Sequence, residues 1–198
     1  MDSGAGHVAR ILYKEIVAGD LRKILAQSND SDTGGGARDF RFGSFKKLLP
    51  VITQMFPGRA KGNRKRDGVV EEIDVFQGEF FWHGSKGQVE RKDSFFESPT
   101  DVRPSEGRIA RVHEYGCFDT SLVPKGGMGN RVLLLLIQLS DGSVWPYYAE
   151  EKTLRIKGKW DPVVAEELLA CLDAKRAVNR AVIGYRDFTN EGKYCNGK

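Results

Sequence analysis

The chain is poor in the residues that most often carry out catalysis. Among 198 residues there are three histidines and three cysteines. His7, His83 and His113 have no carboxylate or cysteine at the spacing of a metal site or a triad, so they read as ordinary surface or core side chains. Cys117, Cys171 and Cys195 include no C-x-x-C pair, which argues against a structural zinc site. Their odd number, and a start that does not resemble a secretory leader, predict reduced thiols in a cytoplasmic protein. GGGARDF lacks the Gly-Lys-Ser/Thr ending of a phosphate-binding loop. The longest apolar run, VLLLLIQL from Val132 to Leu139, is far shorter than the about 20 residues needed to span a bilayer, and it reads as a buried strand. No metal, cofactor or membrane partner is expected.

What is present is a core and a modest excess of positive charge. Hydrophobic residues make up 40% of the chain, enough for a packed domain and too many for a disordered one. The net charge of +4 permits a polyanionic partner without requiring one. The length fits a single domain, taken as residues 1–188, with a flexible tail over 189–198.

Val8, Ile11, Leu12 and Ile16 recur at helical spacing and predict a helix over residues 7–18. Arg22 to Gln27 and Arg38 to Phe42 read as strands. Ser44 is placed to cap a short helix, FKKLL, that stops before Pro50. Gly58 to Gly68 reads as a basic loop. VVEEIDVF, GEFFWHG, QVERKDSFF and RIARV read as further strands, with a polar excursion from Glu97 to Gly107. VLLLLIQL and VWPYY form a hairpin about the Asp141–Gly142 turn, which puts Pro146 on an edge or at a bulge. Asp161 and Pro162 open a C-terminal helix whose apolar face holds Val164, Leu168, Cys171 and Leu172. The fold expected is mixed and mainly β: a seven- or eight-stranded pseudobarrel with short capping helices and a C-terminal helix.

Two polar stretches interrupt this pattern. SNDSDTGGGAR, Ser28 to Arg38, offers Asn29, Asp30, Thr33 and Arg38. Thr100 to Arg111 offers Arg103, Ser105, Glu106 and Arg108. Arginine suits the O6 and N7 edge of guanine, Asn suits adenine, and Asp or Glu accepts from cytosine N4. A purely electrostatic binder would need only lysines, so acidic residues here fit a reader of base edges. Gly34, Gly35 and Gly36 let backbone amides approach phosphates, and Arg64, Lys65, Arg66 and Arg111 add charge for the same purpose. Ser, Asn, Asp and Gly also dominate ordinary turns, so the chemistry alone leaves both readings open.

From about Arg22 to Tyr148 the chain resembles the N-terminal effector-binding domain of EcoRII-type restriction endonucleases. The resemblance rests on an ordered series of features: the arm SNDSDTGGG after a strand, the strand and helix FRFGSFKKLLP, the arm and strand RPSEGRIAR, and then LLLLIQL and SVWPYY. It implies a DNA-binding pseudobarrel whose two arms, Ser28 to Arg38 and Thr100 to Arg111, grip the major groove. The partner implied is double-stranded DNA, with a nuclease subunit as a further candidate. The first arm here carries an inserted Ser31-Asp32 and ends in Ala37-Arg38 where the family has His-Gln. The second contains Pro104 and Gly107 and lacks the family's lysine run, so a target sequence is not inherited.

A rival pattern points to metal-dependent cleavage. Asp74 followed by Glu90 and Lys92 matches an Asp…Glu-x-Lys nuclease arrangement, in which two carboxylates hold magnesium and the lysine orients water. Trp82 and Trp145 are candidates for lining a flipped-base pocket, although core packing is the commoner fate of such residues.

Overall fold

A computed structural model describes residues 6–16, 39–66, 68–84, 86–110, 131–174 and 181–196. Among the described residues ten strands form one sheet: β1 (Val8–Glu15), β2 (Asp39–Phe42), β3 (Gly58–Arg66), β4 (Val69–His83), β5 (Val89–Glu97), β6 (Gly107–Ala110), β7 (Val132–Leu139), β8 (Val144–Glu150), β9 (Ile183–Asp187) and β10 (Lys193–Cys195). The order is β10-β9-β1-β7-β8-β4-β5-β6-β2, with β3 paired to β4 beside this path. All neighbours are antiparallel except β8 and β4, which meet in parallel at Phe80 and Val144. The sheet curls into an open half-barrel, so the mainly β, pseudobarrel-like class is as expected. The strands are more numerous than the seven or eight expected.

Helix α1 (Phe45–Met55) fills the concave side. Phe45, Leu48, Val51, Ile52 and Met55 make its buried stripe, and they pack on Phe40, Phe42, Phe76, Phe80, Phe96 and Ile109 from the surrounding strands. The convex side of β1 and β7 is covered by α2 (Glu151–Leu154) and α3 (Pro162–Ala174). β7 is therefore buried on both faces. Leu134 and Leu136 point to the first core, Leu133 and Leu135 to the second. That explains the unbroken apolar run, since a strand covered on both sides has no solvent face to make polar.

Four local expectations are corrected. Residues 8–15 are a strand rather than a helix, because Ile11 and Tyr13 enter one core and Leu12 and Ile16 the other. Apolar residues on both faces of a strand happened to fall at helical spacing. α1 runs through Pro50 to Met55, and Ser44, at φ 58°, makes no side-chain cap. Burial of the stripe outweighs the hydrogen bond that proline cannot donate. The basic segment 58–66 is itself a strand, paired residue for residue with Val69 to Gln77 through a tight turn at Gly68 (φ 84°). VVEEIDVF and GEFFWHG are one continuous strand through Gly78.

The C-terminal segment is also corrected. In place of a loose tail, Lys193 to Cys195 pair with β9, and the side chain of Asn196 holds Ile183 N–H and the Ala181 carbonyl. Cys195 forms a disulfide with Cys171 on α3, at a Cα–Cα distance of 6.3 Å, where the sequence predicted free thiols. Spacing along the chain gave no sign of this pairing because the fold alone brings α3 onto β10. The expected α3 start is as read: Asp161 Oδ1 accepts from Val163 and Val164 N–H at 2.9 and 3.1 Å. The 141–142 turn is as read too, and Pro146 lies opposite Leu136 on a stretch of β8 whose other edge is unpaired to β4.

One buried polar network locks β1 to β7 and β9. Arg10 donates to Asp187 at 2.8 Å, to Gln138 at 2.9 Å and to Thr189 at 3.0 Å. Burial of Asp187 opposes its charge, but hydrogen bonds from the Thr189 hydroxyl and amide and from Arg10 outweigh it and hold the carboxyl below its ordinary range. A carboxyl depressed in the folded state stabilises above its unfolded value of about 3.9, and that contribution is lost as pH falls through the lower folded value. The expected result is that Asp187→Asn lowers stability by about 1–2 kcal/mol at pH 7 and narrows the gap to the parent as the pH is taken below about 3.9. Urea midpoints from pH 7 to pH 2 measure this; a gap that stays constant with pH would contradict it.

Candidate nucleic-acid interface

β6 alternates as a half-buried strand does. Ile109 points into the first core and Arg108 points out. Gly107 also faces inward, where a Cβ would collide with the Phe45 ring, so only glycine allows β6 to lie against the start of α1. On the outer face Arg108 stands opposite Arg41 of β2 on one side and Glu97 of β5 on the other. Glu97 Oε2 accepts from Arg108 Nε and from Arg64 Nη2 of β3. The side chains are 12% (Glu97), 23% (Arg108) and 18% (Arg64) exposed, so one carboxylate positions two partly desolvated guanidiniums.

The loop leading into β6 repeats the device. Glu106 Oε2 lies 3.0 Å from Arg103 Nη1 and 3.6 Å from Arg41 Nη1. Arg103 N–H donates to the Thr100 carbonyl at 3.0 Å and Glu106 N–H to the Arg103 carbonyl at 3.2 Å, giving two successive turns. The loop is tied down at both ends. Ser98 exchanges hydrogen bonds with the Asp74 backbone at 2.8 and 2.9 Å, and the Ser105 carbonyl accepts from Phe45 N–H at the start of α1. The patch thus holds four arginines against two glutamates, a net of +2.

Of the residues singled out from sequence, Arg103, Glu106, Arg108 and Arg64 come together here. Ser105 sits in the same loop with its side chain exposed. Lys65 is next to Arg64 on a strand and so points to the opposite face. The Arg66 backbone pairs with Val69 at the hairpin end. Asn29, Asp30, Thr33, Gly34, Gly35, Gly36, Arg38 and Arg111 lie outside the described residues. Arg59, part of the same basic run, is engaged elsewhere: it stacks 4.6 Å over Phe76 and donates to the Phe56 carbonyl at 2.6 Å, closing the end of α1. Sequence reading missed Arg41 and Glu97. The signal was there in DFRF and SFFE, where a charged residue adjoins a core phenylalanine and must face the other way.

The nuclease constellation is not assembled. Asp74 pairs with Lys61 at 2.9 Å on the β3–β4 hairpin. Glu90 stands opposite Trp82 and Lys92 opposite Phe80, eight and six positions further along β4, so about 26 Å of strand separates Asp74 from the Glu90 position. Among the described residues no three His, Cys, Asp or Glu side chains are grouped to hold a metal. The two tryptophans face opposite ways as well. Trp82 packs on the concave core, while Trp145 lies on the convex side beside Phe81 (6.0 Å) and His83 (5.1 Å), so they do not line one pocket. Among the described residues no helix is long and apolar enough to cross a membrane. No family model matches the chain, and neither does any curated protein or solved structure.

Proposed function

We propose that the chain binds double-stranded DNA sequence-specifically, as the recognition module of a restriction or defence enzyme acting in the cytoplasm. The observation that carries this reading is the pair of shared carboxylates, Glu97 and Glu106, each positioning two guanidiniums on one outward face. Arginines held in fixed positions suit a guanine edge or a phosphate pair, and their geometry costs little ordering entropy on binding. The acidic partners lower affinity for phosphates in general, and that is tolerable where discrimination is selected. The disulfide is shielded inside the second core, with Cys171 1% and Cys195 9% exposed, and so is poorly accessible to a reducing cytoplasm.

Selection of bound duplexes from a random pool, followed by gel shift on the winner, tests this. Arg108→Ala is expected to weaken the selected complex by about 1–3 kcal/mol, roughly 5- to 150-fold, and to relax preference at one base pair. A melting curve on the variant separates lost contact from lost fold. Equal binding of every duplex, or none at low salt, would sink the proposal.

A further inference from the structure

The β3–β4 hairpin is a two-stranded ribbon that runs out beyond the core. Near its turn both faces are open to solvent: Val69 is 61% exposed and Val70 59%, and Asn63, Lys65 and Glu72 are exposed as well. Among the described residues β3 has no partner on its other edge. The register sets three rungs on one exposed face, with Lys65 opposite Val70, Asn63 opposite Glu72 and Lys61 opposite Asp74. Lys61 reaches both Glu72 (3.1 Å) and Asp74 (2.9 Å), and their hydrogen bonds raise its pKa and hold it charged.

We infer that this ribbon enters the major groove of duplex DNA and reads bases with the face bearing Asn63, Lys65, Val70 and Glu72. The inference rests on the duplex-binding reading above and adds a second, separate specificity element to it. Paired strands lie about 4.8 Å apart, and with side chains a two-stranded ribbon fills a groove about 12 Å wide. The four side chains match four different groups on base edges. Lysine suits guanine O6 and N7, Asn suits adenine N6 and N7, Glu accepts from cytosine N4, and an aliphatic group packs on the thymine methyl. Charge alone on β3 would serve to guard an unpaired edge against aggregation. That role leaves unexplained an exposed valine, Val70, near the tip of this face and an amide between lysines. On the exposed face the cations, Lys61 and Lys65, lie on β3 and the acids, Glu72 and Asp74, on β4, while Arg59 and Arg64 are engaged with Phe76 and Glu97. The β3 side of the ribbon is thus the one suited to the phosphate backbone.

The test uses the full chain and the duplex selected by it. Asn63→Ala and Lys65→Ala sit on exposed strand positions and are expected to leave the melting temperature unchanged. Each is expected to weaken the selected duplex about 10-fold while a scrambled duplex is bound as before, and repeat selection is expected to show relaxed preference at one base pair per variant. Replacing only the guanine at the base pair where Lys65→Ala relaxes preference by 7-deazaguanine is expected to weaken the parent but not Lys65→Ala. If both variants weaken selected and scrambled duplex equally, the ribbon contacts phosphates only and the inference is overturned. If Arg108→Ala weakens specific binding while both ribbon variants bind like the parent, the ribbon inference falls alone. If the parent binds no duplex, the reading beneath it falls too.

Discussion

Breaking the Cys171–Cys195 bond is expected to cost about 3.5 kcal/mol. The two residues are 24 apart in sequence, and closing a loop of that length removes roughly this much entropy from the unfolded chain. For a domain of this size that corresponds to a fall in Tm of about 7–14 °C. The bond joins α3 to β10, a strand of three residues at the edge of the sheet, so the damage is expected to start there. Three measurements check it. Thiol titration of the denatured, unreduced chain should find one free thiol, since three cysteines minus the bonded pair leaves Cys117. Cys171→Ser/Cys195→Ser should melt like the reduced parent. Amide exchange should accelerate first at Ile183 and Asp187, whose N–H groups are held by Asn196 and by the Gly192 carbonyl on either side of β10. Identical melting of oxidised and reduced protein would show that β10 needs no such tether.

The second large effect is expected at Glu97. Its carboxylate lies between Arg64 and Arg108, all three mostly out of water. Removing the shared partner of two desolvated cations leaves them facing each other uncompensated. Loss of one member of a fully buried pair costs about 3–5 kcal/mol; with the Arg64 and Arg108 side chains still 18% and 23% exposed, Glu97→Ala is expected to cost about 2–4 kcal/mol. The double variant Glu97→Ala/Arg108→Ala is expected to be less damaged than the sum of its singles, because one of the stranded charges is gone. Urea denaturation of the four proteins gives the coupling directly. A loss below about 0.5 kcal/mol for Glu97→Ala would place the cluster among ordinary surface ion pairs. The same substitution is expected to weaken duplex binding, because the two guanidiniums lose the fixed position that Glu97 gives them.

Some of this molecule could be read directly from the chain. Asp161-Pro162 before an apolar stripe announced α3, and Asp141-Gly142 between two apolar runs announced the β7–β8 turn. These are local signals, made by residues that bond to their own neighbours. The errors share a different cause. The β1 segment reads as a helix because a strand inside two cores carries apolar residues in a pattern that its partners, not its own backbone, dictate. The β3 segment reads as a loop because Gly, Lys and Arg have little strand preference of their own. Its strand form comes from the long partner β4.

The candidate site divides the same way. Arg103, Glu106 and Arg108 were marked by composition within one stretch, and they do lie close in space. Arg41, Arg64 and Glu97 joined them only through the order β3-β4-β5-β6-β2, which brings residues from four of these strands together. The sequence by itself determined a mainly β domain, its buried central strand, its C-terminal helix and the chemical character of one polar loop. Only the tertiary structure decided which charges share a carboxylate, which cysteines bond and which faces of the hairpin meet solvent. Those outcomes depend on distances between segments far apart in the chain, and they are set when burial of the two cores fixes the register of the sheet.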